Sequence, residues 1–385
     1  MSLFKIVSLL IKFSCLFLLL SAPKYLLAED KAYPQFSGYS PKSKLTINFE
    51  PVNILLESNV LDMGPSRRIN ADLDIPPIGT KLRNVFPRAT HNESNRFTYE
   101  LIKSPKQKSL VNDVKKYLES LPEKNNLNLY SKQEQLAYWL NLYNITLINE
   151  IVKRYPIVSL EKILTGPDSL LDKKLVNIGS LQLSLSDIQY GILDKNYNKE
   201  PLIIYGLYQG YIGSPNINKK AFSGKNVYKL LKNNATDFVN SNRGTNIDSL
   251  NSLEVSSYYA RNADYFPNFS NDLKLHLLQF ADETTQEIIN KSDKIEPIIN
   301  NWAITDLFGS KRVFGGAMST NSAASIGISR NYALTDKVTK DANTGGKFRL
   351  SAREITRLKE LMKVRAKNYG ETSVTITDLE LQGEN

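Results

Sequence analysis

The chain of 385 residues holds one cysteine, Cys15, and only two histidines, His91 and His276. Cys15 falls within an N-terminal segment that reads as an export signal, so the chain left after its removal has no thiol. That count excludes disulfides, thiolate nucleophiles, iron–sulfur clusters and cysteine-ligated zinc. His91 sits in the polar stretch His91-Asn92-Glu93-Ser94, and His276 lies in the apolar run Leu275–Phe280. Neither context marks a general base, and two scattered imidazoles do not make a catalytic metal site. We therefore expect neither a metal nor any other cofactor, with an all-carboxylate cation site as the one arrangement left open.

Long apolar runs are also scarce. Phe13 to Ala22 is too short to span a bilayer, and Lys5 and Lys12 supply the positive flank of a signal peptide. Residues 1–28 are expected to be that signal, cut after the imperfect site Leu26-Leu27-Ala28 to give a periplasmic or secreted protein. The rival is an uncleaved anchor from about Ile6, which the charge of Lys12 interrupts. Acidic residues are outnumbered by basic ones, 39 to 49, for a net +10. Lys5, Lys12 and Lys24 lie in the signal, which has no acidic residue, so the exported chain carries +7. That excess is mild and speaks to partners rather than to fold. An exported chain is not expected to meet nucleic acid. Envelope glycan, peptide or protein partners are.

What is present is an alternation of helical and short extended patterns. Residues 29–94 read as an N-terminal arm, with one apolar patch from Ile47 to Met63 packed on the main body. Residues 95–308 read as one continuous domain. Leu110–Leu121 has helical spacing and stops at Pro122. Ser131 and Glu134 form a capping box for a helix that runs to Tyr155 and ends at Pro156. Lys174–Leu185 alternates around Gly179, and Leu202–Leu207, bounded by Pro201 and glycines, has the pattern of a buried strand. Val227–Val239 and Leu273–Ile289 are again helical. Residues 309–347 are Ser-, Ala- and Gly-rich and read as a linker. In 348–385, Ser351 and Glu354 open a basic amphipathic helix, and Val374–Leu381 suggests a terminal strand. An isolated helix of that length is marginal in water, so it is expected to dock on the domain, with peripheral membrane contact the less favoured use. The mixture predicts an α+β fold, helix-rich, with a small β-sheet.

The most informative stretch is Gln135-Leu136-Ala137-Tyr138-Trp139-Leu140-Asn141-Leu142-Tyr143-Asn144. Two amides on one side of an apolar helix are costly unless they are satisfied. The pattern resembles the W-[IL]-N-x-Y-N signature of the domain of unknown function 547 family. The likeness extends through Asn95-Arg96-Phe97-Thr98-Tyr99, Asp172-Lys173-Lys174, Ile178-Gly179, Leu185-Ser186-Asp187-Ile188, Val239–Gly244, Val255-Ser256-Ser257 and Trp302. Several segments in the same order are far more specific than one motif. The departures are as telling. Typical members carry I-E-H where this chain has Ile188, Gln189 and Tyr190. They then carry H-F-A-L-N-C…C-P, where Ile204 here replaces the histidine, Gln209 the first cysteine and Ser214 the second. If ordinary members use thiol chemistry, the resemblance implies that this chain cannot.

Candidate ligand-binding residues follow from these stretches. Asn141 and Asn144 could orient a substrate, or could bond the backbone of a neighbouring loop and fix the core. Tyr205, Tyr208, Gln209, Tyr211 and Ser214 lie in a segment with three tyrosines and three glycines. The tyrosines suit stacking and the glycines close approach to a ligand, while a buried strand with a tight turn explains the same pattern. No residue stands out as catalytic. The expectation is an exported, non-enzymatic binding or scaffolding module of the cell envelope. Its rival is a cysteine-independent hydrolase using Ser214, Asp172 or Asp187 on an envelope peptide or glycan.

Overall fold

In a computed structural model, which describes residues 33–66, 68, 90, 93–247, 252–307 and 352–369, the chain folds around one helix buried along nearly its whole length. In chain order the elements are α1 (Glu50–Asn59), β1 (Val60–Leu61), β2 (Arg96–Phe97), α2 (Pro105–Lys124), α3 (Lys132–Arg154), α4 (Glu161–Thr165), β3 (Val176–Ile178) and β4 (Leu181–Leu183). A π-helical turn, Asp187–Leu193, runs into the short α5 (Asp194–Asn196), and a 3₁₀ segment covers Pro201–Gly206. Then come α6 (Val227–Val239), β5 (Thr245–Ile247), β6 (Ser252–Ser256), α7 (Ser257–Arg261), α8 (Phe269–Leu278), α9 (Glu283–Lys291), β7 (Lys294–Ile299) and α10 (Ala352–Tyr369). Strands β1–β2 and β3–β4 are antiparallel pairs. The third sheet has the order β5-β6-β7, antiparallel and then parallel. This is the expected α+β fold with a helical core.

Helix α3 is the centre of that core, with every residue from Glu134 to Val152 buried. Ser131 caps it by accepting the Glu134 N–H at 3.3 Å. Only that half of the expected capping box forms. The Glu134 carboxylate instead accepts the backbone N–H groups of Ile47 at 2.8 Å and Gly224 at 2.7 Å, pinning the arm and the approach to α6. Helix α2 begins earlier than expected, behind a full Ser104–Gln107 capping box, and continues through Pro122. Proline cannot donate to the Leu118 carbonyl one turn back. The Tyr138 hydroxyl of α3 donates to that carbonyl at 3.1 Å and fills the gap.

Two expected elements differ. Leu202–Leu207 is not a strand: Pro201–Gly206 winds as a 3₁₀ helix between α3 and α6. A Cβ at Gly206 would stand 2.7 Å from Leu231 Cδ2 and 2.9 Å from Leu140 Cδ2, so the backbone lies directly on those helices. A short apolar run cannot distinguish the two states by periodicity. Leu273–Ile289 is two helices, because the Asp282 side chain caps α9 through the Thr285 N–H at 2.8 Å.

The signal segment 1–28, His91, the linker 309–347, Ser351 and the terminal segment 374–381 lie outside the described residues. No helix among the described residues is long and apolar enough to cross a membrane. Helix α10 packs on α1 and β1, where Leu361 joins Leu61 and Leu307 in a small buried cluster. Arg365, 4% exposed, donates from Nη1 to Asn59 Oδ1 and from Nη2 to the Leu101 carbonyl at 2.8 Å. Its guanidinium lies 5.1 Å from the Tyr369 ring centroid, and burial lowers its pKa. Replacement Arg365→Ala removes charge-assisted bonds to buried acceptors and should lower stability by about 2–3 kcal/mol in urea denaturation. An unchanged midpoint would contradict the docking of α10 as a stabilising contact.

Candidate functional site

The two asparagines of the tryptophan helix hold loops. Asn141 spans the backbone of Phe222, donating from Nδ2 to its carbonyl at 2.8 Å and accepting its N–H at 3.0 Å. Asn144 does the same one turn on, to the Gly206 carbonyl at 2.9 Å and the Tyr208 N–H at 2.9 Å. Each amide thus satisfies peptide groups that no helix or sheet reaches, and both asparagines are buried. Trp139 is likewise core, in edge contact with Phe36 and Tyr138.

The tyrosine–glycine segment is also interior, and it presents no open stacking face. The Tyr205 hydroxyl meets those of Tyr259 and the His276 Nε2, each at 3.1 Å, while Tyr208 bonds Thr305 Oγ1 and approaches the Tyr99 hydroxyl at 3.3 Å. Tyr211 packs against Trp302 with ring centroids 4.3 Å apart. Ser214 is fully buried and donates to the Tyr211 carbonyl at 2.7 Å. Glycine freedom serves packing here: Gly210, at φ +77°, has room for no Cβ against Ile151 and Leu160. Of the five candidates in this segment, Gln209 is the one that lines the cleft described next.

That cavity is a cleft of about 310 Å³ between α4 and the loop that follows it, the π-helical turn and α7. Residues far apart in sequence meet in it: Asp172, Ser186, Gln189, Tyr190, Gln209 and Arg261. The π-helical turn presents Gln189 and Tyr190 side by side, and such turns are rare and frequently found at functional sites. Gln189 Nε2 donates to Asn262 Oδ1 at 2.8 Å, which ties this wall to the end of α7. Gln209 Nε2 donates to the Tyr143 hydroxyl of α3 at 2.6 Å, leaving its Oε1 buried without a partner. Arg261 reaches in from the opposite side, stacked 4.7 Å from the Trp302 ring centroid, with Nη2 on the Tyr211 hydroxyl and Nε unpartnered. Ser186 Oγ donates to Asp172 Oδ1 at 2.6 Å.

Burial shapes the electrostatics. It lowers the Arg261 pKa to about 10, against the opposing influence of the Tyr143 and Tyr190 phenols. It also pushes Tyr190 up to about 12, with Asp194 and Asp264 adding to the rise. Asp194, behind this wall, is raised by burial to about 6 although the Tyr265 hydroxyl donates to it. Asp187 does not line the cleft. Lys174 and the Ser184 N–H hold it, and these bonds bring its pKa below the usual carboxylate value although burial acts the other way. The cleft therefore offers amides, phenols, hydroxyls, one carboxylate and one guanidinium. Among the described residues, no group of three or more His, Cys, Asp or Glu side chains is placed to hold a metal ion.

Sequence reasoning misses Arg261 and Asn262, because they lie just beyond the matched segment Val255-Ser256-Ser257 and no motif marks them. The signal was an arginine directly after Tyr258-Tyr259-Ala260, a charge in an otherwise apolar and aromatic run. Residues 127–239 match the family described as Protein of unknown function, DUF547. The likeness drawn from the tryptophan helix is borne out over that stretch, which includes Gln189, Tyr190 and Gln209 and stops short of Arg261. No curated protein and no solved structure matches the chain.

His276 lies outside the cleft, stacked on Tyr205 at 5.7 Å and enclosed by Phe266 and Phe280. Burial holds its pKa down at about 4, so the folded protein keeps the ring neutral while the unfolded chain protonates it below about pH 6.5. Stability should fall as pH drops from about 6.5 to about 4, by roughly 3 kcal/mol for this group when complete. Urea denaturation of His276→Phe across that range should show the slope reduced. An identical slope would place the acid sensitivity elsewhere.

Proposed function

We propose that this chain is an exported, non-enzymatic binding module of the cell envelope, and that its ligand enters the cleft between the π-helical turn and α7. One observation carries the reading: Gln189, Tyr190 and Gln209 all line one cleft. These are the positions at which the resemblance sets glutamate, histidine and cysteine in typical members. A cleft lined at these positions by amides and a phenol suits capture of a ligand rather than covalent chemistry on it. Export rests on Lys5, Lys12 and the apolar run up to Ala22.

The hydrolase reading keeps one foothold, the Ser186–Asp172 hydrogen bond at the cleft wall. Ser214 and Asp187 drop out of it, the first by burial and the second by its bonds to Lys174 and Ser184. A single carboxylate is short of the paired titratable groups that acid–base hydrolysis employs.

Retention on peptidoglycan, polysaccharide and envelope-peptide fractions tests the proposal. Tyr190→Ala combined with Gln209→Ala should weaken retention by about tenfold or more while the far-ultraviolet spectrum and cooperative melting persist, as expected when polar contacts to a ligand are removed. Unchanged retention on every fraction would remove the cleft as the ligand site. Turnover of a fraction, lost in Asp172→Asn, would replace the binding reading with the hydrolytic one.

A further inference from the structure

Asp172 and Arg261 line the same cleft with opposite charge, yet they do not pair. Among the described residues Arg261 makes no ion pair and Asp172 takes only the Ser186 hydroxyl on its side chain. An arginine enclosed by Tyr211, Tyr258 and Trp302 has lost much of its hydration, and its planar fork is suited to a carboxylate. Independently, the Gln209 amide is 2% exposed and lines the cleft with its Oε1 unpartnered. A buried amide oxygen without a donor costs about 1–3 kcal/mol until something supplies one. Whichever way that amide is turned, one of its two polar atoms bonds Tyr143 and the other is left over.

Resting on the cleft being the binding site, we propose that its ligand is a small zwitterion, a free α-amino acid or a dipeptide. The carboxylate lies on the Arg261 guanidinium and the ammonium on Asp172. A hydrogen-bonding group of the ligand completes Gln209. A volume of about 310 Å³ is at the small end of ligand pockets, which fits a molecule of this size and excludes a long glycan lying wholly inside. Stacked tyrosine and tryptophan rings fix the guanidinium plane before the ligand arrives, so little ordering of that side chain remains to be done on binding.

Calorimetric titration of the full chain with the free amino acids and with alanylalanine tests this directly, beside N-acetyl-alanylalanine and alanylalanine amide. At least one zwitterion should bind, and capping either of its ends should weaken binding about tenfold or more, in line with loss of a charge-assisted contact. Arg261→Gln should abolish discrimination against the amide, and Asp172→Asn should abolish discrimination against the acetylated form. Asp172 is the safer variant for folding, because asparagine still accepts the Ser186 hydroxyl. Equal binding of capped and free forms, or no binding of any zwitterion, overturns the proposal. Retention on an envelope fraction that still depends on Tyr190 and Gln209 would then leave the cleft a binding site for another ligand. Loss of both results would remove the site itself.

Discussion

Everything in this fold leans on a helix that has no solvent face. Because α3 is buried on all sides, each polar side chain it carries must find a partner inside the protein or leave a dehydrated group unsatisfied. Glu134, Gln135, Asn141 and Asn144 find theirs on backbone groups of irregular segments: the arm at Gly38 and Ile47, the turns at Leu127 and Tyr130, and the loops at Gly206, Tyr208, Phe222 and Gly224. The dependence is mutual. Those loops lack a sheet or helix to satisfy their peptides, and the helix would otherwise carry unpaired amides in its core. Unusual composition in a helix therefore encodes the positions of loops far away in sequence.

The cleft inherits its geometry from the same helix. Asn144 fixes the backbone of Gly206 and Tyr208, and Tyr143, one residue earlier, bonds the side chain of Gln209. Two successive residues of α3 thus set both the path of the segment and the orientation of the amide that ends in the cleft. On the far side, Ser256 closes the turn into α7 by accepting the Tyr258 N–H and donating to the Gly213 carbonyl, which brings Arg261 onto Trp302. The cleft sits where these two constraints meet. Its described lining holds amides, phenols, hydroxyls, one carboxylate and one guanidinium, and neither an imidazole nor a thiol.

Much of the fold was legible because it follows from period and capping. Val227–Val239 matches its helix to the residue, and the alternation around Gly179 became the β3–β4 hairpin. The tyrosine–glycine segment reads equally as a ligand surface or as a buried turn for a physical reason: glycine signals close approach without saying to what, and here the neighbours are Leu140, Leu231, Ile151 and Leu160. Asn141 and Asn144 were legible as functional or structural but not as one or the other, since that depends on which backbone lies opposite. The cleft itself could not be assembled from sequence. Gln189, Tyr190 and Gln209 stood out as departures from a pattern, while Arg261 joined them only through the packing of α7 on the β6–β7 sheet. Long-range convergence of this kind has no local period to reveal it.

The account's central claim is that α3 and its loops are scaffold and that the cleft is the working surface. Hydrogen–deuterium exchange of the full chain, with and without a soluble envelope extract, tests it most directly. The account predicts added protection in residues 164–172, 186–190 and 257–262, with α3 and the core of Tyr205–Tyr211 unchanged because they are already protected. Protection confined to α10 or to β7, with the cleft segments exchanging as before, would contradict it.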